Sequence, residues 1–294
     1  MDEIQTDQAV AQTSQKKKKG GFWRVVFVIA LIVLVCALGA LGFLAYNYWA
    51  GQQVYDKLEQ VSQIDPSKVD SLADLNLDWD ALRAINSDIV AWVYIPNTNI
   101  NYPVVKGSDN SYYLSHDFEG TNGAFVWRGT VFLDCENSSD YSDDVNFMYG
   151  HHLNDNTMFS AISEMNDQSR FDECRTVYLF TPTMNYKLRS FSLVHCSGSD
   201  AIVELNFSKP ADFQAYIQDK IDRSVTTVSD CPAATDIGQA FAFSTCDNYL
   251  FSSGRFILFC YAEEQVPTGT AASSTFANAD DVATANEAIA EKQS

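Results

Sequence analysis

Hydrophobic and polar positions follow a strand-like pattern along this chain from about residue 89 onward. Short apolar and aromatic runs, alternating with polar positions at 241–246, are separated by turn residues such as those at 97–99. The strand candidates are 89–95, 102–105, 125–133, 145–149, 176–180, 185–195, 239–246 and 255–261. About eight short strands with only two inserted helices are typical of one closed β-barrel, not of alternating strands and helices. The predicted fold class is therefore mainly β.

Helical signals precede and interrupt this pattern. Segment 47–85 has apolar residues at helical spacing and is expected to form N-terminal helices, one of them capped by Asp78. Between the strands, Asn156 is the expected N-cap of one helix, and Pro210 lies in the first turn of another. The helix that begins at Pro210 is inserted directly before the strand that ends at Cys246.

An uncharged apolar segment lies ahead of these elements. Residues 25–46 would span roughly 33 Å as a helix, which is enough to cross the hydrocarbon core of a bilayer. The lysine run at 16–19 and Arg24 lie on its N-terminal side, so the positive-inside rule places residues 1–24 in the cytoplasm. A cleaved signal peptide is the alternative, but this apolar run is longer than a usual signal-peptide core. We expect a single-pass membrane protein whose barrel lies outside the cell.

These signals divide the chain into five parts. They are a basic cytoplasmic segment (1–24), a transmembrane helix (25–46), a helical linker with N-terminal helices (47–85), the β-barrel (86–264) and a tail (265–294). The tail is rich in Ala, Thr, Ser and Asp, and Phe276 is its only aromatic residue. This composition predicts disorder, because such a segment has too little apolar surface to bury.

Charge and cysteine usage exclude several function classes. The formal net charge is −19, and such an acidic chain is unsuited to nucleic acid as a partner. The seven cysteines include no CxxC pair and have no regular spacing, which argues against a disulfide framework and a zinc site. No metal and no cofactor is expected.

The strongest candidate for chemistry is Cys246 together with Arg255. If the two strands that contain them pair as a hairpin, the thiol and the guanidinium share one rim of the sheet. A fixed cation is one way to lower the pKa of a thiol and make it a nucleophile. The alternatives are a buried strand cysteine and an arginine in a surface ion pair.

A base must come from one of four histidines. His195 is next to Cys196, but neighbours in a strand point to opposite faces, so a structural role is expected for it. His116 lies in a polar turn, where a hydrogen-bonding role is expected. His151 and His152 follow a strand through Gly150, at a strand end where functional residues collect. Their chemistry alone leaves both open as the base or as surface residues.

Several motifs resemble those of the class B sortases of Gram-positive bacteria. They are residues 149–152 followed by 155–159, residues 244–247 with 254–255, and residues 92–105, 113–117 and 132–134. The resemblance covers roughly residues 75–262 with order and spacing intact. It implies an eight-stranded sortase-type barrel with an N-terminal helical extension and a helix before the cysteine strand. The cysteines at 196, 231 and 260 and the tail after Glu264 have no counterpart in these motifs.

The resemblance also implies a mechanism. Cys246 would attack the carbonyl of a Thr in a C-terminal sorting signal, and Arg255 would bind the oxyanion or the substrate. His151, directly after the glycine, would be the acid and base. The neighbours of the cysteine, Ser244, Thr245 and Asp247, are expected to bind substrate. The partners would be surface proteins that carry sorting signals, and an amine of a peptidoglycan cross-bridge or a pilin.

Two other functions are compatible with a cysteine and a histidine in a surface barrel. One is a cell-wall cysteine peptidase that hydrolyses its substrate. Papain-like and related wall peptidases place the cysteine before the histidine in the chain, whereas here His151 precedes Cys246. The other is a non-catalytic surface-binding barrel, which labelling of Cys246 by a thiol reagent near neutral pH would separate from an enzyme.

Overall fold

The computed structural model describes residues 20–62, 72, 77–121, 128–153, 155–247 and 254–268. The chain divides into two compact units, Met1–Tyr46 and Asn47–Ser294. Helix α1 (Gly20–Ser62) begins in the first unit and ends in the second. Its segment Gly21–Tyr46 is long and apolar enough to cross a membrane. Most of the predicted cytoplasmic segment lies outside the described residues.

Eight strands of the described residues close into a barrel, as the alternation pattern predicted. They are β1 (Ile89–Tyr94), β2 (Asn101–Val105), β3 (Val131–Leu133), β4 (Val145–Gly150), β5 (Thr176–Phe180), β6 (Met184–Ser197), β7 (Ala240–Asp247) and β8 (Gly254–Pro267). Their order around the barrel is β1-β2-β3-β4-β7-β8-β6-β5, with β5 pairing back onto β1. The predicted mainly β fold class is confirmed. Because these eight described strands pair all around the ring, none of them is an open sheet edge.

Strands β7 and β8 are buried on both faces. Phe241 and Phe243 pack with Leu258 in the barrel core. Ala242, on the opposite face of β7, belongs to a second apolar cluster that includes Phe213 of helix α5 (Pro210–Asp222). Burying a phenylalanine side chain stabilises the fold by about 2 kcal/mol. Strand β7, which contains Cys246, thus has one face in the barrel core and the other in the apolar cluster that includes α5.

The helix predicted to be capped by Asp78 and the helix predicted to begin near Pro210 both form as expected. The Asp78 carboxylate accepts a hydrogen bond of 2.9 Å from the Ala81 amide and caps helix α2 (Trp79–Ile85). Pro210 is the first residue of α5, where its missing N–H costs no helical hydrogen bond.

The prediction that Asn156 caps a helix is wrong. Helix α3 begins at Ser160 after Phe159 and extends to Glu164, and Phe159 makes no side-chain capping bond. Asn156 has a φ of +59° and lies in a tight turn. The Asp155 carboxylate stabilises this turn by accepting a 3.1 Å hydrogen bond from the Thr157 amide.

Three other features of the secondary structure differ from the sequence-based expectation: one additional helix and the ends of two strands. Helix α4 (Gln168–Glu173), capped by Asp167, was not predicted. Strand β3 begins at Val131, and residues 128–130 of the predicted strand are not in a strand; its first part, residues 125–127, lies outside the described residues. Strand β8 continues beyond the predicted start of the tail at residue 265, since Pro267 pairs with Met184 of the long strand β6. Residues 269–294 are outside the described residues.

Candidate active site

Three strands bring the predicted site residues to one end of the barrel. Strands β4 and β7 are parallel, and Gly150 is paired with Thr245. His151 and Cys246 each follow directly after these paired residues. Strands β7 and β8 are antiparallel, and Cys246 is paired directly with Arg255. The pairing of the strands thus brings His151, Cys246 and Arg255 to the same end of the barrel, although His151 is far from the other two in sequence.

His151 is half-buried, and its ring is fixed by a backbone carbonyl. Its Nε2 atom lies 2.6 Å from the carbonyl oxygen of Leu114, in the 3₁₀ helix Tyr112–Leu114. Because a carbonyl can only accept, Nε2 carries the proton of this bond, and in the neutral ring Nδ1 is left with the lone pair. The His151 carbonyl accepts a 2.9 Å bond from the Phe159 amide, which holds the backbone as well.

His152 has a different environment. It is buried and forms an isolated antiparallel bridge with Met158. His151 lines a cleft at this end of the barrel, and His152 is not among the residues that line it. This arrangement supports the choice of His151.

The cleft encloses about 330 Å³. Its lining includes four of the predicted site residues, His151, Ser244, Thr245 and Arg255. The apolar part of the lining includes Leu114, Phe132, Phe147, Tyr149 and Ile257. An apolar cleft with a few converging polar groups is the usual form of a binding site for a short peptide or small molecule.

Arg255 is half-buried at the start of β8. Its Nη1 donates a 2.9 Å hydrogen bond to the carbonyl oxygen of Gly254. Gly254 itself is paired with Asp247, one residue beyond the Cys246–Arg255 pair. The side chains of Cys246 and Asp247 lie outside the described part of the structure, so their predicted roles rest on backbone position.

The lining also includes residues that were not predicted as site residues, among them Asn110, Tyr149 and Cys196. Asn110 and Tyr149 converge on the Oδ2 atom of Asp134, at 3.0 and 2.8 Å. Burial also raises the pKa of the Tyr149 hydroxyl, which therefore stays protonated and donates. Tyr149 stands in the histidine motif and could have been singled out there, whereas Asn110 enters the cleft from a distant loop.

Cys196 is another cleft residue that was not predicted as a site residue. It is paired with Arg255 from strand β6, on the opposite side from Cys246. Burial raises the pKa of the Cys196 thiol, which disfavours the thiolate. Only the long-range pairing of β6 with β8 could have revealed its position. Its neighbour His195 stacks on Phe256 at 4.2 Å, in keeping with the structural role expected for it.

No group of three or more His, Cys, Asp or Glu side chains in the described ranges is arranged to hold a metal ion. The cleft presents an imidazole and a guanidinium, and the backbone register places Cys246 beside them. A thiol, an imidazole and a guanidinium together suit nucleophilic acyl transfer.

Known proteins resemble this chain in sequence and in fold, although no family model matches it. It is 28% identical to sortase B of Staphylococcus aureus over 194 residues, which cover 66% of this chain and 77% of the relative. It is 25% identical to sortase B of Listeria monocytogenes over 232 residues, which cover 75% and 92% of the two chains.

Among solved structures, the crystal structure of S. aureus sortase B superposes with a TM-score of 0.63 at 27% identity. The match covers 74% of this chain and 98% of that one. Sequence and barrel therefore agree on one family along most of both chains. The sequence and the barrel both resemble those of the class B sortases, and they support a sortase-type cysteine transpeptidase.

Proposed function

We propose that this chain is a membrane-anchored transpeptidase that cleaves a C-terminal sorting signal after Thr and joins the surface protein to an amine. The amine would belong to a cell-wall cross-bridge or a pilin. The observation that carries the proposal is the strand register, which sets Cys246 beside Arg255 and one strand away from the residues that lead into His151. This is the arrangement that a nucleophile, an acid–base group and an oxyanion donor require.

In the first half-reaction, the Cys246 thiolate attacks the carbonyl carbon of the Thr residue. A C–S bond forms, and the negative charge moves to the carbonyl oxygen, where Arg255 donates hydrogen bonds to it. The C–N bond then breaks, and the His151 imidazolium gives its proton to the leaving amine. The product is a thioester on Cys246 and the released C-terminal peptide.

In the second half-reaction, the incoming amine attacks the thioester carbon. Neutral His151 takes the proton from the amine, an amide bond forms, and the C–S bond breaks to restore the thiolate. With Nε2–H bound to the Leu114 carbonyl, Nδ1 is the ring atom that would exchange this proton. The carbonyl also stabilises the imidazolium, because the hydrogen bond to it strengthens when the ring is charged.

Ser244 and Thr245 are proposed to contact the substrate. Both side chains are buried at the cleft, and the Thr245 hydroxyl oxygen has no hydrogen-bond partner among the described residues. A buried hydroxyl of this kind costs free energy until a partner binds it, and a peptide in the cleft would supply one. Asp247 is proposed to bind substrate on its sequence position alone.

The proposed location follows from the apolar part of α1. Segment Gly21–Tyr46 is a candidate membrane span, and sortases are cell-surface enzymes. The basic residues before it favour a cytoplasmic N-terminus and an extracellular barrel. Secreted substrates and wall precursors meet on that side of the membrane.

An assay in which an amine and water compete for the acyl group of the thioester tests the proposed reaction. The full-length chain in detergent would be incubated with a peptide that carries an Asn-Pro-x-Thr-like signal, as class B sortases generally prefer, with and without a cross-bridge peptide or a lysine-bearing peptide. We expect a new amide product with one of the amines, in excess over the hydrolysed peptide. If hydrolysis dominates at every amine concentration, the protein is a peptidase and the transfer proposal fails.

Replacing Arg255 with Lys separates geometry from charge. If the guanidinium donates fixed hydrogen bonds to the oxyanion, the Lys variant should be impaired, because lysine is a point charge on a flexible stem and not a planar fork. We expect kcat/KM to fall at least about tenfold, or ~1.4 kcal/mol of transition-state stabilisation. Steady-state kinetics with the signal peptide measures it. Near-normal turnover would mean that Arg255 supplies only positive charge.

A further inference from the structure

A tyrosine of helix α1 reaches the loop that lies beneath the His151 ring. Tyr55 is buried, and its hydroxyl donates a 2.5 Å hydrogen bond to the carbonyl oxygen of Gly129, which is 74 residues away in the chain. Its ring packs edge-on against Tyr102 at 5.4 Å. Burial raises the pKa of the Tyr55 hydroxyl, which therefore remains a donor.

Gly129 is in close contact with both partners of the His151–Leu114 hydrogen bond. A Cβ atom at this position would lie 2.9 Å from the Cδ2 atom of His151 and 3.0 Å from the Leu114 carbonyl oxygen. It would also lie 2.6 Å from the carbonyl oxygen of Tyr113. Gly129 has a φ of +59°, a conformation that glycine adopts without strain. The backbone thus fits against the imidazole only because no side chain intervenes.

A second hydrogen bond fixes the same loop. The Thr130 amide donates 2.9 Å to the Tyr113 carbonyl, one residue before the carbonyl that holds His151. The Gly129 backbone is therefore held by Tyr55 on one side and by the 3₁₀ helix on the other. A movement of Gly129 toward the site would press on the imidazole and the Leu114 carbonyl, and a movement away would remove the backbone that packs against them.

We propose that Tyr55 is a positioning residue for His151. Through the Gly129 carbonyl it holds the loop against the imidazole and thereby keeps Nε2 on the Leu114 carbonyl and Nδ1 free to exchange a proton. This inference rests on the proposed role of His151 in the transfer reaction. It assigns to α1 a part in the catalytic geometry in addition to its packing on the barrel.

Tyr55→Phe removes the hydroxyl and keeps the ring that packs on Tyr102. We expect kcat to fall about tenfold with KM within about twofold, because a small displacement of a catalytic group acts on the chemical step more than on binding. In the full-length chain in detergent, the ¹⁵N shifts of the His151 ring should change from a single Nε2–H tautomer to a mixture. His151→Ala assigns the resonance.

Ser192→Ala is the matched control. The Ser192 hydroxyl also donates a buried 2.5 Å hydrogen bond to a backbone carbonyl, that of Lys220, and Ser192 is not among the residues that line the cleft. The two variants lose the same kind of bond, so their melting temperatures should fall by similar amounts. Only Tyr55→Phe should change kcat and the His151 ring signals.

The His151 tautomer and the rate together distinguish failure of the Tyr55 positioning role from failure of the proposed acid–base role of His151. An unchanged His151 tautomer in Tyr55→Phe overturns the positioning role, whether or not kcat falls. An equal loss of kcat in Ser192→Ala also overturns it, because the effect would then be one of general stability. If the tautomer changes but His151→Ala remains fully active, Tyr55 does position the ring, and it is the proposed role of His151 that fails.

Discussion

Replacing Cys246 with alanine is expected to abolish the covalent adduct between the enzyme and a sorting-signal peptide. The proposed thioester needs the Cys246 sulfur as nucleophile, and alanine carries no nucleophilic group at that position. Removing the nucleophile of such a site lowers turnover by about 10⁴-fold or more. Intact-mass spectrometry of the full-length chain, mixed with peptide and quenched in acid, measures the adduct directly.

The matched control is Cys196→Ala. Cys196 is the other cysteine paired with Arg255, it lines the same cleft, and its thiol pKa is raised by burial. We expect this variant to keep the adduct at a level close to that of the unchanged protein. If the adduct persists on Cys246→Ala and disappears on Cys196→Ala, the nucleophile is Cys196 of strand β6 and not Cys246.

Replacing His151 with alanine is expected to lower kcat/KM by about 10²- to 10⁴-fold, the usual contribution of a general acid–base group. His151 is the proposed donor of a proton to the leaving amine and acceptor of a proton from the incoming one. Its ring lines the cleft and is oriented by the Leu114 carbonyl. Steady-state kinetics of transfer, with melting temperature recorded beside it, provides the measurement.

His152→Ala serves as the comparison for that loss. His152 is buried in a bridge with Met158, so its truncation should reduce stability while a measurable part of the activity is retained. Similar losses of kcat/KM in the two variants would leave the base unassigned. A greater loss in His152→Ala at equal stability would reverse the assignment.

Most of the barrel could be predicted from the sequence because strand periodicity is local information. The eight strand candidates correspond to β1–β8, and α5 begins at Pro210 as expected. The errors arose where long-range contacts set the local conformation. Asn156 looks like a helix cap, but the turn that contains it is held by distant residues: the Met158 amide donates to the Tyr102 hydroxyl, 56 residues away, and Arg128 pairs with Asp155. Likewise β8 extends to Pro267 because the long strand β6 is there to pair with it.

The candidate site was predictable in part. Alternation alone placed Cys246 at a strand end and Arg255 at the start of the next strand, and the observed register pairs them directly. It could not choose between His151 and His152, because adjacent residues in an extended segment differ only in the face they present. The family resemblance chose His151, and its place in the cleft supports that choice.

By itself, then, the amino-acid sequence determined where most of the strands form, where the apolar segment lies and which side chains are candidates for chemistry. These properties depend on neighbours a few positions apart. Only the tertiary structure decided what surrounds those side chains: the Leu114 carbonyl at His151, Cys196 opposite Cys246, and Tyr55 beneath the loop at Gly129. Each of these arrangements joins segments tens of residues apart, and closure of the barrel, which no local pattern encodes, sets their distances.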